Sequence, residues 1–260
     1  MGIRPDREPI NEGVLYYMLR KLKHFAFQKR IFRDFPDPVP NPGSARFEVD
    51  GWIISDFLIK RLVPIVGVHP YPVNELFFMT AAVCRLKPTH ILEWGTHLGV
   101  SARIFFEVAK AFHIRAEIHS TDLPDFSDHS EHPGRKRGML VKDIPEVMLH
   151  QGDGLDESMK VLDKVQGDIK PLFFLDGDHA YDSVTRELVE IMRRAPQASI
   201  LVHDTFYQSV ESGYNVGPHK AIADALKSLP NRYDKVSMTT GLPGMTLLYP
   251  MQHGPSFDAK

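Results

Sequence analysis

The sequence predicts an α/β fold: a doubly wound, mainly parallel sheet of seven strands ending in a C-terminal antiparallel hairpin, preceded by an N-terminal helical appendage. Three observations carry this. From Tyr71 onward, short apolar runs rich in branched residues alternate with helical stretches, the pattern of a parallel sheet with helices on both faces. The last two runs are joined only by TGLPG, too short for a crossover helix, so that pair must be antiparallel. Finally, 43% hydrophobic residues in a chain of 260 suffice for a real core.

Taken in order, Asn11–Phe35 comes first. Val14, Leu15, Met18, Leu22 and Phe25 recur at helical spacing, with Arg20, Lys21, Lys23, Lys29 and Arg30 between them. No acid lies between Gly13 and Arg33. Such a helix packs on the domain or on a second copy, which leaves a homodimer open; peripheral contact with an anionic membrane is the weaker reading. FPDPVPNPG at Phe35–Gly43 cannot continue a helix and reads as a linker. Residues 1–43 are thus set apart from a domain over 44–260, whose core is 72–250. A helix follows Pro72 and ends near Lys87-Pro88. Strands are expected at His90–Trp94, Glu117–Thr121, Val147–His150, Leu172–Leu175 and Ile200–Val202, with helices at Ser101–Phe112 and Tyr181–Arg194. Tyr233–Thr239 and Met245–Tyr249 complete the sheet, which makes the architecture Rossmann-like.

Composition narrows the function. A net charge of −2 gives no global field for nucleic acid. The single cysteine, Cys84, excludes an internal disulfide framework and sits in an apolar run, as a buried side chain would. The start, MGIRPDREPIN, has no apolar signal-peptide core, and a cytoplasmic protein is expected.

In an open parallel sheet, ligands bind at the carboxyl ends of the strands. The first strand ends in Glu93-Trp94-Gly95-Thr96-His97-Leu98-Gly99-Val100-Ser101. Gly95 and Gly99 permit a tight turn and close backbone approach, and Thr96 and Ser101 offer hydroxyls beside them. A dinucleotide loop would want G-x-G-x-x-G, but His97 holds the middle position and Val100 the third, which argues against pyrophosphate. The Glu93 carboxylate would repel phosphate and suits an ammonium group, while loop N–H groups suit a carboxylate. That pairing fits the methionine part of S-adenosylmethionine. At the next strand ends, Asp122 is placed for ribose hydroxyls and Asp153 for the adenine amino group. Either aspartate also suits a helix cap or turn.

ILEWGTHLG, HSTD, HQGDG, FFLDGDHAYDSV and ILVHDT, in that order, resemble the motifs of class I S-adenosylmethionine-dependent methyltransferases. The likeness runs over roughly residues 72–250. It is closest to the small-molecule O-methyltransferases grouped with macrolide-sugar and cephalosporin-hydroxylase-like proteins.

Asp176-Gly177-Asp178-His179 and His203-Asp204-Thr205 end neighbouring parallel strands, which brings Asp176 and Asp204 together. Hard oxygen ligands gathered this way suit Mg²⁺ or a similar divalent ion. The resemblance implies a metal held by Asp176, Asp204 and His203, with Asp176 also near the cofactor. The family commonly has an acid where His203 stands, and a histidine either tilts preference toward Mn²⁺, Fe²⁺ or Zn²⁺ or leaves the site without an ion. His179 is the candidate catalytic base, the role the resemblance implies for the histidine of DGxH, with Asp176 as its catalytic partner. Asp178 is expected to cap the following helix. The polar loop Leu123–Gly138 is expected to cover the site, with Arg135, Lys136 and Arg137 facing an anionic substrate. His129 and His132 form a weak zinc pattern without supporting cysteines. Gly213–Pro218 is expected to line the acceptor site.

The reading that results is metal-assisted O-methylation of a small hydroxylated acceptor, a sugar or natural-product intermediate, with no nucleic-acid partner. Two rivals use the same scaffold: a nucleotide-dependent oxidoreductase or hydroxylase-like enzyme, and a non-catalytic cofactor-binding interaction module.

Overall fold

The central strands are apolar on both faces, and that forces the layer order. A computed structural model describes residues 35–127, 133–229 and 232–251. The amphipathic stretch expected over Asn11–Phe35, apart from Phe35 itself, lies outside the described residues, as do His129 and His132. Residues from Phe35 onward belong to one unit. The strands are β1 (His90–Trp94), β2 (Glu117–Asp122), β3 (Val147–Gln151), β4 (Pro171–Leu175), β5 (Ser199–His203), β6 (Tyr233–Met238) and β7 (Met245–Pro250). They form one sheet in the order β3-β2-β1-β4-β5-β7-β6. β1 to β5 pair in parallel, whereas β7 runs antiparallel to both β5 and β6. Every residue of β1, β4 and β5 is buried, the pattern of strands covered by helices on both sides.

Alternate residues serve opposite faces. Ile91, Phe174 and Leu201 join one apolar cluster with Phe105, Met79 and Leu247. Leu92, Phe173 and Val202 join the other with Trp94, Leu188 and Ile222. The first face is covered by α1 (Gly51–Phe57), a π-helical turn (Leu58–Leu62), α2 (Val63–Val66), α3 (Val73–Leu86) and α4 (Val100–Ala111); the second by α5 (Gly154–Leu162), α6 (Tyr181–Arg194) and α7 (Val216–Ser228). α1 begins on Asp50, whose carboxylate accepts from the Trp52 and Ile53 N–H groups. α3 stops at Lys87, which takes the left-handed conformation (φ 47°) just before Pro88. The helical run 51–66 was not expected from sequence. It is held by a buried ion pair in which Arg61 donates to Glu107 of α4 from Nε (3.1 Å) and Nη2 (2.9 Å). Phe35 and Val39 of the proline-rich stretch are buried in the first cluster, Phe35 standing edge-on to Phe57 with ring centroids 5.3 Å apart.

Three histidines cross the first half of the sheet. His119 of β2 stacks against His150 of β3 (5.2 Å, 23°), with Nδ1 3.0 Å from the His150 Nε2, and against His90 of β1 (6.2 Å, 20°). Glu117 stands 3.5 Å from the His119 Nε2. Burial, then the His150 charge, pushes the His119 imidazole down to about 4, and burial also lowers His150. The folded form therefore resists protons that the unfolded chain takes up below its ordinary value near 6.5. Stability is expected to be complete above pH 6.5 and to fall by about 2 kcal/mol as pH drops from there toward 4. Urea unfolding of wild type and His119→Gln across pH 4–8 checks this: the acid limb should be shallower in the variant, and equal slopes would remove the histidine stack as its cause.

Candidate active site

The strand order reverses between β1 and β4, since the chain moves outward to β2 and β3 and then returns. At that switch point the connections after β1 and β4 lead to opposite faces of the sheet, to α4 and α6, which is where open α/β sheets bind ligands. The β1–α4 turn crosses this point. Gly95 has φ 95°, and a Cβ there would stand 2.0 Å from the Asp176 carbonyl oxygen. Only glycine lets the loop pass so close to the end of β4. Within the turn the Gly95 and Thr96 N–H groups bond the Thr121 carbonyl (3.0 and 3.4 Å), that of Gly99 bonds the Thr96 carbonyl (2.7 Å), and that of His97 bonds the Asp122 carboxylate (2.8 Å). Most of the loop's own donors are thus engaged. Anion-binding capacity rests instead on the first turn of α4, whose N–H groups have no intrahelical acceptor.

Glu93 lies beneath this turn and is wholly buried. Its Oε1 accepts from the Ser120 hydroxyl (2.6 Å), which also meets the Thr96 hydroxyl (2.6 Å). Its Oε2 has no hydrogen-bond partner among the described residues. Burial pushes the Glu93 carboxyl up to about 8, although the hydroxyls of Ser120 and Ser101 pull the other way. An unmet, buried carboxylate oxygen beside the loop is a place for a cationic donor.

Asp176, at the end of β4, is the hub of the second half. Its Oδ1 lies 2.8 Å from the His203 Nδ1, and its Oδ2 accepts a short hydrogen bond from the Tyr71 hydroxyl. The His203 Nε2 lies 3.0 Å from the Glu75 Oε2, and the Glu75 Oε1 accepts from the Gly244 N–H (2.7 Å). The Asp204 Oδ2 stands 3.4 Å from the His203 Nδ1 and 3.2 Å from the His179 Nε2, which is itself 3.9 Å from the Asp176 Oδ1. Burial alone would lower the His203 imidazole, but the charge and hydrogen bond of Asp176, then Asp204 and Glu75, hold it well above its ordinary value. Burial would likewise raise Asp204; His203, and then His179, outweigh it and keep Asp204 below the usual range. Burial, then the Asp176 charge, raises the Tyr71 phenol, so it stays a donor.

Residues 92–205 match the family Methyltransf_24, described as a methyltransferase domain. Over those residues the chain is similar to a methyltransferase domain. Its sheet is the Rossmann-like methyltransferase fold with a C-terminal antiparallel pair, as expected. Two solved structures share that fold. The O-methyltransferase from Bacillus cereus, in complex with SAH, is 14% identical over 76% of this chain and 90% of its own, with a TM-score of 0.50. Cofactor-bound Rv0187 from MTB is 15% identical over 82% of this chain and 99% of its own, with a TM-score of 0.52. No curated protein matches the chain.

At this end of the sheet the expected residues separate into those brought together and those used otherwise. Glu93, Gly95, Thr96, Gly99, Ser101, Asp122 and Asp176 gather around the β1–α4 turn and the switch point. Asp122 accepts from the His97 and Leu123 N–H groups (both 2.8 Å), and each carboxylate oxygen keeps a second lone pair. Asp153 takes the helix-cap role that was its alternative. Its Oδ1 caps α5 on the Asp156 N–H (3.0 Å) and its Oδ2 takes the Arg186 guanidinium (2.6 Å), so each oxygen already has a partner within the protein. Burial would raise its carboxyl, yet Arg186 holds it below the usual range. Asp176, His203 and Asp204 each offer a ligand atom within 4.8 Å of the others. Asp178 does brace the start of α6, accepting from the Ala180 N–H (2.9 Å) and from the Ser183 hydroxyl.

The described parts of the Leu123–Gly138 loop fold back on the glycine turn, Gly138 N–H bonding the His97 carbonyl (2.8 Å) and Leu140 N–H that of Leu98 (3.1 Å). Arg137 is tied to Asp125 (3.0 Å) and to the Leu123 carbonyl (3.1 Å), which takes it away from an anionic ligand; Arg135 and Lys136 remain exposed. Gly213–Pro218 does reach the acid cluster: the Tyr214 hydroxyl donates to the Asp204 Oδ1 (3.3 Å). Tyr71 and Glu75 were missed. The one signal for Glu75 was a solitary acid in the apolar run Val73–Leu86.

Among the described residues, no helix is long and apolar enough to cross a membrane.

Proposed function

We propose that the chain is an S-adenosylmethionine-dependent O-methyltransferase that methylates a small hydroxylated acceptor with help from a divalent ion. The observation that carries this is the contact between the two halves of the site. The glycine turn passes directly over the Asp176 backbone. A donor seated on the turn and an acceptor beside Asp176, His179 and Asp204 would therefore face each other across the crevice. The pairing of a cofactor with O-methylation is supported by the Bacillus cereus structure in its fold alone. The cofactor reading rests on Glu93, whose unmet oxygen suits the amino-acid ammonium, and on Asp122 at the next strand end, where ribose hydroxyls would lie.

The donor set of Asp176, His203 and Asp204 fits a divalent cation: two carboxylates and an imidazole converge at adjoining strand ends. Such an ion lowers the pKa of a coordinated hydroxyl, which is the chemistry it would supply here. The chain's own residues do the rest. Tyr71 and His203 fix the Asp176 carboxylate from two sides. The Asp204 Oδ2, near the His179 Nε2, orients that ring and stabilises it once it gains a proton. His179, half-exposed at the crevice, holds its Nε2 hydrogen on Asp204 and so offers Nδ1 to take the acceptor's hydroxyl proton, while a bound sulfonium donor would supply the methyl group.

Calorimetric titration of the full chain with S-adenosylhomocysteine is expected to show binding; a folded protein that binds neither it nor S-adenosylmethionine rejects the reading. With an acceptor identified by release of S-adenosylhomocysteine, His179→Ala should lower turnover by about 10² to 10⁴-fold while leaving cofactor affinity unchanged. Unchanged turnover would remove His179 from the role of base.

A further inference from the structure

The metal reading above leaves one buried acid without a task. Glu75 has no solvent exposure, enters from α3 and touches neither the crevice nor the glycine turn, yet both of its oxygens are committed. Its Oε1 accepts from the Gly244 N–H, which can only donate. Its Oε2, as a carboxylate oxygen, can only accept from the His203 Nε2 at 3.0 Å, so Nε2 carries a hydrogen. The other ring nitrogen, Nδ1, faces Asp176 (2.8 Å) and Asp204 (3.4 Å). A metal-ligating histidine commonly donates its second N–H to a carboxylate, which sets the tautomer and strengthens the ligating nitrogen.

We propose that Glu75 is a positioning residue that keeps a hydrogen on the His203 Nε2, so that Nδ1, whose proton a bound ion would displace, becomes the ligating nitrogen, and that the site consequently selects a nitrogen-accepting ion of the Co²⁺ or Zn²⁺ kind over Mg²⁺. This rests on the metal reading of the preceding section. Mg²⁺ demands oxygen ligands and sheds water reluctantly, whereas imidazole suits the later first-row ions. Glu75→Gln tests the tautomer directly. With the amide oxygen on the Gly244 N–H, the amide NH₂ faces Nε2, which can meet it only as an acceptor. The ring's one remaining hydrogen then stays on Nδ1, facing Asp176, and occupies the lone pair the ion needs.

The experiment uses tag-free full-length chain, titrated calorimetrically with CoCl₂ and with MgCl₂, and followed by proton NMR of the Co²⁺ form. Wild type should bind Co²⁺ about tenfold or more tighter than Mg²⁺ and show a hyperfine-shifted imidazole N–H proton that exchanges in D₂O. That proton should vanish in His203→Gln. Glu75→Gln should lose about 10- to 100-fold in Co²⁺ affinity with a much smaller change for Mg²⁺. Equal losses for both ions would mark Glu75 as merely structural and overturn the proposal. Should Glu75→Gln fail to fold, wild type still decides: Mg²⁺ bound as tightly as Co²⁺, or Co²⁺ bound without the shifted proton, overturns it. Binding of neither ion overturns the metal reading beneath it.

Discussion

Asp176→Asn is expected to abolish methyl transfer, with a loss on the order of 10³-fold or more in S-adenosylhomocysteine release. The substitution is nearly isosteric, so the effect is electrostatic. Asp176 accepts from Tyr71 at one oxygen and from His203 at the other. An asparagine offers one acceptor and one donor, so one of those partners must face an NH₂ group. His203, buried beside Glu75 and Asp204, also loses the largest of the charges that hold its imidazole up. One of three candidate metal ligands is weakened at the same time. Steady-state turnover together with divalent-ion titration separates the causes. Lost ion binding with cofactor affinity retained places Asp176 on the metal side of the crevice. Turnover within tenfold of wild type would show that the carboxylate is not needed.

The second large effect is on stability. Gly95→Ala places a methyl group 2.0 Å from the Asp176 carbonyl oxygen at a φ of 95°. Neither atom belongs to a flexible side chain that could swing away, so the β1–α4 turn and the end of β4 must separate. Backbone strain of about 1–3 kcal/mol adds to an overpacking cost of similar size. A loss of about 3–5 kcal/mol is expected, which lowers Tm by about 10–15 °C in a domain of this length. Thermal unfolding followed by circular dichroism measures it. Because the turn would move away from Asp176, cofactor binding should weaken even at temperatures where the variant stays folded. A Tm within about 2 °C of wild type would show that the close approach is not maintained in solution.

The fold was legible because its signals are local. Runs such as Leu172–Leu175 and Ile200–Val202 are apolar on both faces, which only a sheet covered on both sides accommodates, and the shortness of TGLPG dictated the antiparallel end. The observed strands extend these expectations by a residue or two, as at Pro171 and Ser199, where the ladder continues past the apolar run. The helical stretch over 51–66 escaped notice for the opposite reason. Its amphipathic pattern is interrupted by a π-helical turn, and it is held by Arg61 and Glu107, 46 positions apart. Asp153 shows the same limit from another side. An acid at a strand end that opens a helix looks alike in sequence whether it meets a ligand or caps the helix, and only the fold shows the cap, with Arg186 of α6 on the other oxygen.

By itself the sequence determined the strand–helix order, the glycine turn at Gly95 and Gly99, and the two acid-bearing strand ends that bring Asp176, His179, His203 and Asp204 to one edge. Those follow from periodicity and from the rule that neighbouring parallel strands deliver their carboxyl ends together. Only the tertiary structure decided which partners each acid keeps. Glu75 reaches His203 across 128 positions, Tyr71 reaches Asp176 across 105, and Gly244 secures Glu75 across 169. Contacts of that span leave no periodic trace in the chain, because they depend on α3 and the β6–β7 turn packing against the ends of β4 and β5. The glycine turn shows both levels at once: its residues announce a close approach, and the fold supplies the Asp176 carbonyl that makes glycine necessary there.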